Sequence, residues 1–193
     1  MSDLALVVIA AALVNNLVLV QSLGVDALFG ASGRVETAVG TAFATGLVLT
    51  IAAVVTYIVE LYVLVPFELP YLRLIAFMAV VVLAVQCMDT VARRTSPLTA
   101  QLLGGQIPLV TANSAVLGVA LLNSTASRSL AASLCYGVGA ALGFGLALVL
   151  FAGLRERLAH ADVPVPFRGT AIAFVTAGIL SLAFLGFAGF ARL

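Results

Sequence analysis

Six apolar stretches, each near the roughly 20 residues that a helix needs to cross the hydrocarbon core of a bilayer, occupy most of this chain. They cover residues 4–23, 37–59, 72–91, 102–122, 130–154 and 169–191. Hydrophobic residues make up 63% of the 193 positions and charged residues 9%. An ordinary soluble domain carries about 25% charged residues. That difference fixes the class as an all-α integral membrane protein, one membrane domain over 1–193. Every cation is an arginine, and the net charge of +1 carries no nucleic-acid footprint. The start, Met1-Ser2-Asp3-Leu4, lacks the basic opening of a secretory signal peptide, so the first stretch reads as a retained span.

The two halves repeat one another. Asn15-Asn16-Leu17-Val18-Leu19 returns as Asn113-Ser114-Ala115-Val116-Leu117, an offset of 98. Gly40 and Gly46 return as Gly139 and Gly145, an offset of 99, and Ile75-Ala76-Phe77 as Ile172-Ala173-Phe174, an offset of 97. With three spans in each half (about 1–95 and 96–193), the second half must be inverted in the bilayer. Inverted repeats with interrupted helices are a way to build a site near the membrane midplane.

Arginine placement orients the bundle. The first, third and fifth links carry Arg34, Arg93, Arg94, Arg155, Arg157 and Arg168. Only Arg73, Arg128 and Arg192 fall elsewhere. The odd links are expected to be cytoplasmic and both termini periplasmic. The fifth link, with Arg155-Glu156-Arg157 and His160, reads as a solvated helix end or as a docking surface.

Polar residues inside the apolar stretches mark the candidate site. Asn15 lies about 18 Å along a helix from Asp3, near the middle of a 30 Å core. Asn113 lies at similar depth from the opposite face. Asparagine in a membrane helix hydrogen-bonds between helices, or it marks a broken helix whose freed backbone lines a pathway. The repeat-related Asn15, Asn16 and Asn113, with Thr111 and Ser114 beside the last, favour breaks in helices 1 and 4 and an ion or electron pathway. Gly40, Gly46, Gly137, Gly139, Gly143 and Gly145 read as close helix packing.

Other chemistry is scarce. His160 is the only histidine, and Cys87 and Cys135 have no metal-ligand or redox spacing. They read as small apolar residues. Asp89 with Arg93 one turn later reads as an ion pair, and Glu36 and Glu60 sit near span ends.

Several runs resemble a specific family. Leu13-Val-Asn-Asn-Leu-Val-Leu-Val20, Leu23-Gly24 and Glu36-Thr-Ala-Val-Gly40 are similar to the first part of the A-type membrane component of Rnf complexes. So are Arg94-Thr-Ser-Pro97, the run from Pro108 to Asn123, Arg155-Glu-Arg-Leu158 and Pro166-Phe-Arg-Gly169. The counterpart in the sodium-pumping NADH:quinone oxidoreductases is their E-type component. The resemblance implies a bacterial inner-membrane subunit of six spans in inverted repeats. It implies pairing with a homologous E-type subunit, alongside flavoprotein, iron–sulfur and NADH-binding subunits. It implies electron transfer between ferredoxin and NAD(H), coupled to sodium or proton translocation and catalytic only within the complex. It also implies a 2Fe–2S cluster shared with the homologous partner, with one cysteine ligand on each broken helix.

At the two positions matching those cysteines this chain carries Asp26 and Ser114. Their oxygens are harder donors than the thiolates that hold such clusters. Asp26 and Ser114 are therefore the candidate cofactor and metal positions. The substitution leaves room for two other readings, a redox-silent channel or transporter half and a scaffold subunit.

Overall fold

The computed structural model describes residues 2–95, 110–111, 113–126 and 128–187. Among them the chain is all-helical. Helix α1 (Ser2–Ile9) runs into a π-helical turn (Ala10–Val14) and stops. A short helix α2 (Val25–Ala31) follows, then the long α3 (Val35–Val59), which a π-helical turn (Glu60–Leu64) extends. A 3₁₀ turn (Pro70–Leu72) leads into α4 (Arg73–Thr95). The second half contains α5 (Ser114–Thr125), α6 (Leu130–Ala159) and α7 (Thr170–Leu185). Pro97, residues 102–109 of the fourth stretch and the end of the sixth lie outside the described residues.

Three helical segments, Val35–Leu64, Pro70–Val91 and Leu130–Ala159, are long and apolar enough to cross a membrane. Three shorter apolar helices, Leu4–Val14, Ser114–Thr125 and Thr170–Leu185, accompany them. Large apolar side chains face outward along these elements, among them Phe43, Leu83, Ile179 and Leu182, each more than 60% exposed. Apolar surface on this scale is destabilising in water and suits a lipid surround.

The core forms where α3 and α6 pack along one another. Small residues permit the close approach. A Cβ on Gly137 would lie 2.8 Å from the Ala53 Cβ and 3.1 Å from the Thr50 Cα. Ala44, Val48 and Ala52 of α3 are fully buried, as are Phe144, Leu148 and Phe151 of α6. Threonine hydroxyls within α3 donate to carbonyls one turn back, Thr50 to Gly46 (2.9 Å) and Thr56 to Ala52 (2.6 Å). These two hydroxyls are thereby satisfied inside an apolar helix, whereas the buried Thr45 Oγ1 has no partner among the described residues. Asn123 of α5 donates through Nδ2 to the Ala53 carbonyl at 3.0 Å, tying α5 to the same seam.

Several charges near helix ends find partners. Arg73 Nε donates to Glu60 Oε2 at 3.1 Å, which draws the end of α3 to the start of α4. Arg93 Nε lies 2.9 Å from both oxygens of Asp89, the ion pair that their spacing predicts. Glu156, on the last turns of α6, accepts from the Val35 amide at 2.8 Å. A carboxylate there complements the positive N-terminal end of α3.

Candidate functional site

The first interruption begins at Val14. The Asn15 amide donates to the Ala10 carbonyl at 2.7 Å, five residues back, and Asn15 then leaves helical geometry at φ −107°, ψ 45°. Asn15 is exposed and Asn16 is fully buried. The Asn16 amide group replaces the missing helical ladder. Its Oδ1 accepts from the amides of Val18 (3.0 Å) and Leu19 (3.1 Å). Its Nδ2 donates to the carbonyls of Ala12 (2.9 Å) and Gly143 (2.8 Å). Every hydrogen-bonding site of a primary amide is used, which is what burial demands.

Non-helical backbone at membrane depth is tolerated where protein buries it. Leu17, Val18 and Leu19 are buried, and the Ser181 hydroxyl of α7 donates to the Leu19 carbonyl. Gly143 makes the Asn16 contact possible. A Cβ on it would sit 2.7 Å from the Ala12 carbonyl oxygen and 3.0 Å from Asn16 Nδ2. Gly139, one turn earlier, lies equally close to the Val8 backbone.

The chain re-enters helix through Ser22 (φ 57°) and Gly24 (φ 80°). Gly24 links the two interruptions. Its amide donates to Ser114 Oγ at 2.9 Å. A Cβ at Gly24 would lie 2.8 Å from Asn113 Oδ1 and 3.1 Å from a ring carbon of Phe144. Only glycine suits both that φ and that space.

The second interruption is built differently. Val110 and Thr111 are helical, Asn113 is extended at φ −72°, ψ 112°, and α5 begins at Ser114. Asn113 caps α5: its Oδ1 accepts from the Ala115 amide at 2.9 Å. Its Nδ2 is buried and has no hydrogen-bond partner among the described residues. Thr111 and Ser114 are exposed.

Asp26 lies in the first turn of α2, two residues past Gly24, and is also exposed. Its carboxylate makes no hydrogen bond or ion pair with a described residue. The geometry therefore draws Asn113, Ser114 and the Gly24–Asp26 turn to one joint, with an exposed carboxylate and an exposed hydroxyl. Asn16 is drawn instead to Gly143 of α6. Cys87 is on α4 and Cys135 on α6, away from these turns in sequence, and no group of three or more His, Cys, Asp or Glu side chains gathers among the described residues.

Gly24 and Gly143 are the residues that sequence reasoning missed as part of this site. Gly143 was visible only as packing, because its partner is 127 positions away. Gly24 sits two residues before a predicted site position, Asp26, and a glycine between a broken helix and a new one is a signal for positive φ.

Comparison with known proteins bears on the whole chain. Residues 4–191 match the family described as Rnf-Nqr subunit, membrane protein. The chain is 52% identical over 193 residues to a protein of Actinobacillus pleuropneumoniae named as the A-type component of an ion-translocating oxidoreductase complex, covering all of both chains. Proteins of the same name from Alkalilimnicola ehrlichii and Vibrio campbellii are 54% and 50% identical, again over the full length of both chains. The chain belongs to the Rnf-Nqr family of membrane subunits.

Proposed function

We propose that this chain is a membrane subunit of an Rnf-type complex that couples electron transfer between ferredoxin and NAD(H) to sodium or proton translocation. Full-length identity of 50–54% to proteins named as the A-type component of an ion-translocating oxidoreductase complex supports the assignment. The observation that carries it furthest is the joint of two helix breaks, bridged by Gly24 and Ser114 and exposed at Asp26, Thr111 and Ser114. An exposed polar joint on an otherwise apolar chain calls for a partner that covers it. In this reading the partner is the homologous E-type subunit, and the chain acts only within the assembly.

The bundle crosses the bacterial inner membrane six times in inverted repeats, with both termini periplasmic. The three long and three shorter apolar helices support the count, and the arginines of the odd links support the orientation. Exposed Asn15 and Thr111 supply polar surface to the ion pathway. Buried Asn16 and Asn113 fix the shape of the two breaks.

The donor set at the joint does not fit a 2Fe–2S cluster. Such clusters take thiolates, whereas this chain offers one carboxylate and one hydroxyl. Ser114 Oγ is already the acceptor for the Gly24 amide, so its lone pairs are partly engaged in holding the joint. Asp26 and Ser114 belong in this proposal to the partner contact, and no electron step is assigned to them.

Affinity purification through a tag on this chain tests the assignment. Flavoprotein, iron–sulfur and homologous membrane subunits are expected to co-purify, and the assembly in liposomes is expected to drive ion uptake on reduction of NAD. Ion transport by this chain purified alone would overturn it.

A further inference from the structure

Two cavities adjoin at the end of α6. The first, about 470 Å³, is framed by Arg155 and Leu158 of α6, Ala161 and Arg168 of the link, and Ile172 in the first turn of α7. The second, about 390 Å³, runs down the groove between α6 and α7, past Leu154, Thr176, Ile179 and Ala183. Leu158 and Ala161 line both, so a charged pocket opens beside an apolar groove. Arg157 lies on the wall of the groove.

The arginines retain unused donors. Arg155 spends Nη1 on the Phe29 carbonyl (3.0 Å) and Ser32 Oγ (2.7 Å), while its Nε and Nη2 make no hydrogen bond with a described residue. Arg168 spends Nε on the Val163 carbonyl at 2.8 Å. Its Nη2 is 3.9 Å from Asp162, too far for a hydrogen bond, and Asp162 is fully exposed. Glu156, the other carboxylate here, is engaged by the Val35 amide. Three guanidinium groups thus outweigh two carboxylates at the end of a helix long enough to span a membrane.

We infer that this is a binding site for an anionic phospholipid, with its phosphate between Arg155 and Arg168 and an acyl chain in the α6–α7 groove. Guanidinium groups suit phosphate through paired, charge-assisted hydrogen bonds. Basic pockets between membrane helices take such headgroups. The groove supplies what a free phosphate does not need, an apolar channel continuous with the pocket. The inference rests on the membrane location of the chain and not on its redox activity.

The test uses the intact complex, exchanged into detergent with phosphatidylglycerol, phosphatidylcholine or inorganic phosphate and examined by native mass spectrometry. Retention of phosphatidylglycerol over phosphatidylcholine is expected. Arg168→Gln and Arg157→Gln are each expected to lower that retention about fivefold, the effect of one basic residue at a lipid surface. Both leave the Arg155 contacts intact. Ala183→Phe, which fills the groove, should lower lipid retention too. Equal retention of both lipids, or unchanged retention in the arginine variants, overturns the site. Displacement by inorganic phosphate with no effect of Ala183→Phe makes free phosphate the ligand and overturns the lipid. Cross-linking of an Ile179→Cys variant to another subunit assigns the groove to a protein and overturns it as well. None of these readings depends on oxidoreductase turnover.

Discussion

The amide of Gly24 donates a 2.9 Å hydrogen bond to the hydroxyl oxygen of Ser114, so the turn after the first helix break holds the first residue after the second. Ninety positions separate the two residues in sequence. This bond makes the two interruptions one joint, and its failure is expected to affect both halves.

Gly24→Ala is expected to destabilise the chain by about 1–3 kcal/mol for the backbone alone, since a non-glycine residue is forced to positive φ. The 2.8 Å approach of a new Cβ to Asn113 Oδ1 adds to that. Gly33→Ala is the control, because nothing lies within 4 Å of a Cβ there. Thermal unfolding of the purified complex should drop for the first and stay unchanged for the second.

The adjacent asparagines are expected to separate by function. Asn16→Ala removes four hydrogen bonds in a fully buried site and leaves the Val18 and Leu19 amides unpaired. A loss of about 2–4 kcal/mol follows from unpaired buried groups. Asn15→Ala changes an exposed side chain, so stability should hold while ion uptake in liposomes falls. Equal stability of the two variants would contradict the arrangement.

Gly143→Ala should weaken the same break from the opposite helix. The added methyl meets the Ala12 carbonyl oxygen at 2.7 Å, and Asn16 Nδ2 lies 3.0 Å away. Overpacking of this kind costs about 1–3 kcal/mol. The expected signature is faster hydrogen exchange at Val18 and Leu19, whose amides depend on Asn16.

Glu156 is expected to act as a remote cap for α3. Glu156→Ala removes the acceptor of the Val35 amide and should cost about 1 kcal/mol, the scale of a lost N-terminal cap. Glu156→Gln keeps an acceptor without the charge and should recover part of the loss. The comparison is read by chemical denaturation in micelles.

The sequence made the breaks legible because asparagine is rare inside apolar stretches and recurs at one offset. The manner in which they are satisfied was not legible. Asn15 and Asn16 are neighbours of one residue type, yet one is exposed and the other buried, a difference set by Gly143 on a distant helix. Helix α2 also escaped notice, because Val25–Ala31 follows an apolar stretch and contains a glycine. The second stretch ended early in sequence at Val59, where Glu60 introduces a charge. The helical segment runs on to Leu64 because Arg73 neutralises that carboxylate across the turn. Such long-range pairings are invisible to periodicity.

Iron and acid-labile sulfide content of the purified complex, with electron paramagnetic resonance before and after reduction, tests most directly the claim that the joint is held by oxygens and carries no cluster. Asp26→Ala and Ser114→Ala are expected to leave every iron signal of the complex unchanged. Replacing both residues together, Asp26→Cys with Ser114→Cys, is expected to add iron, sulfide and a new reducible signal. A reducible signal in the unaltered complex that disappears on Asp26→Ala or Ser114→Ala would contradict the account.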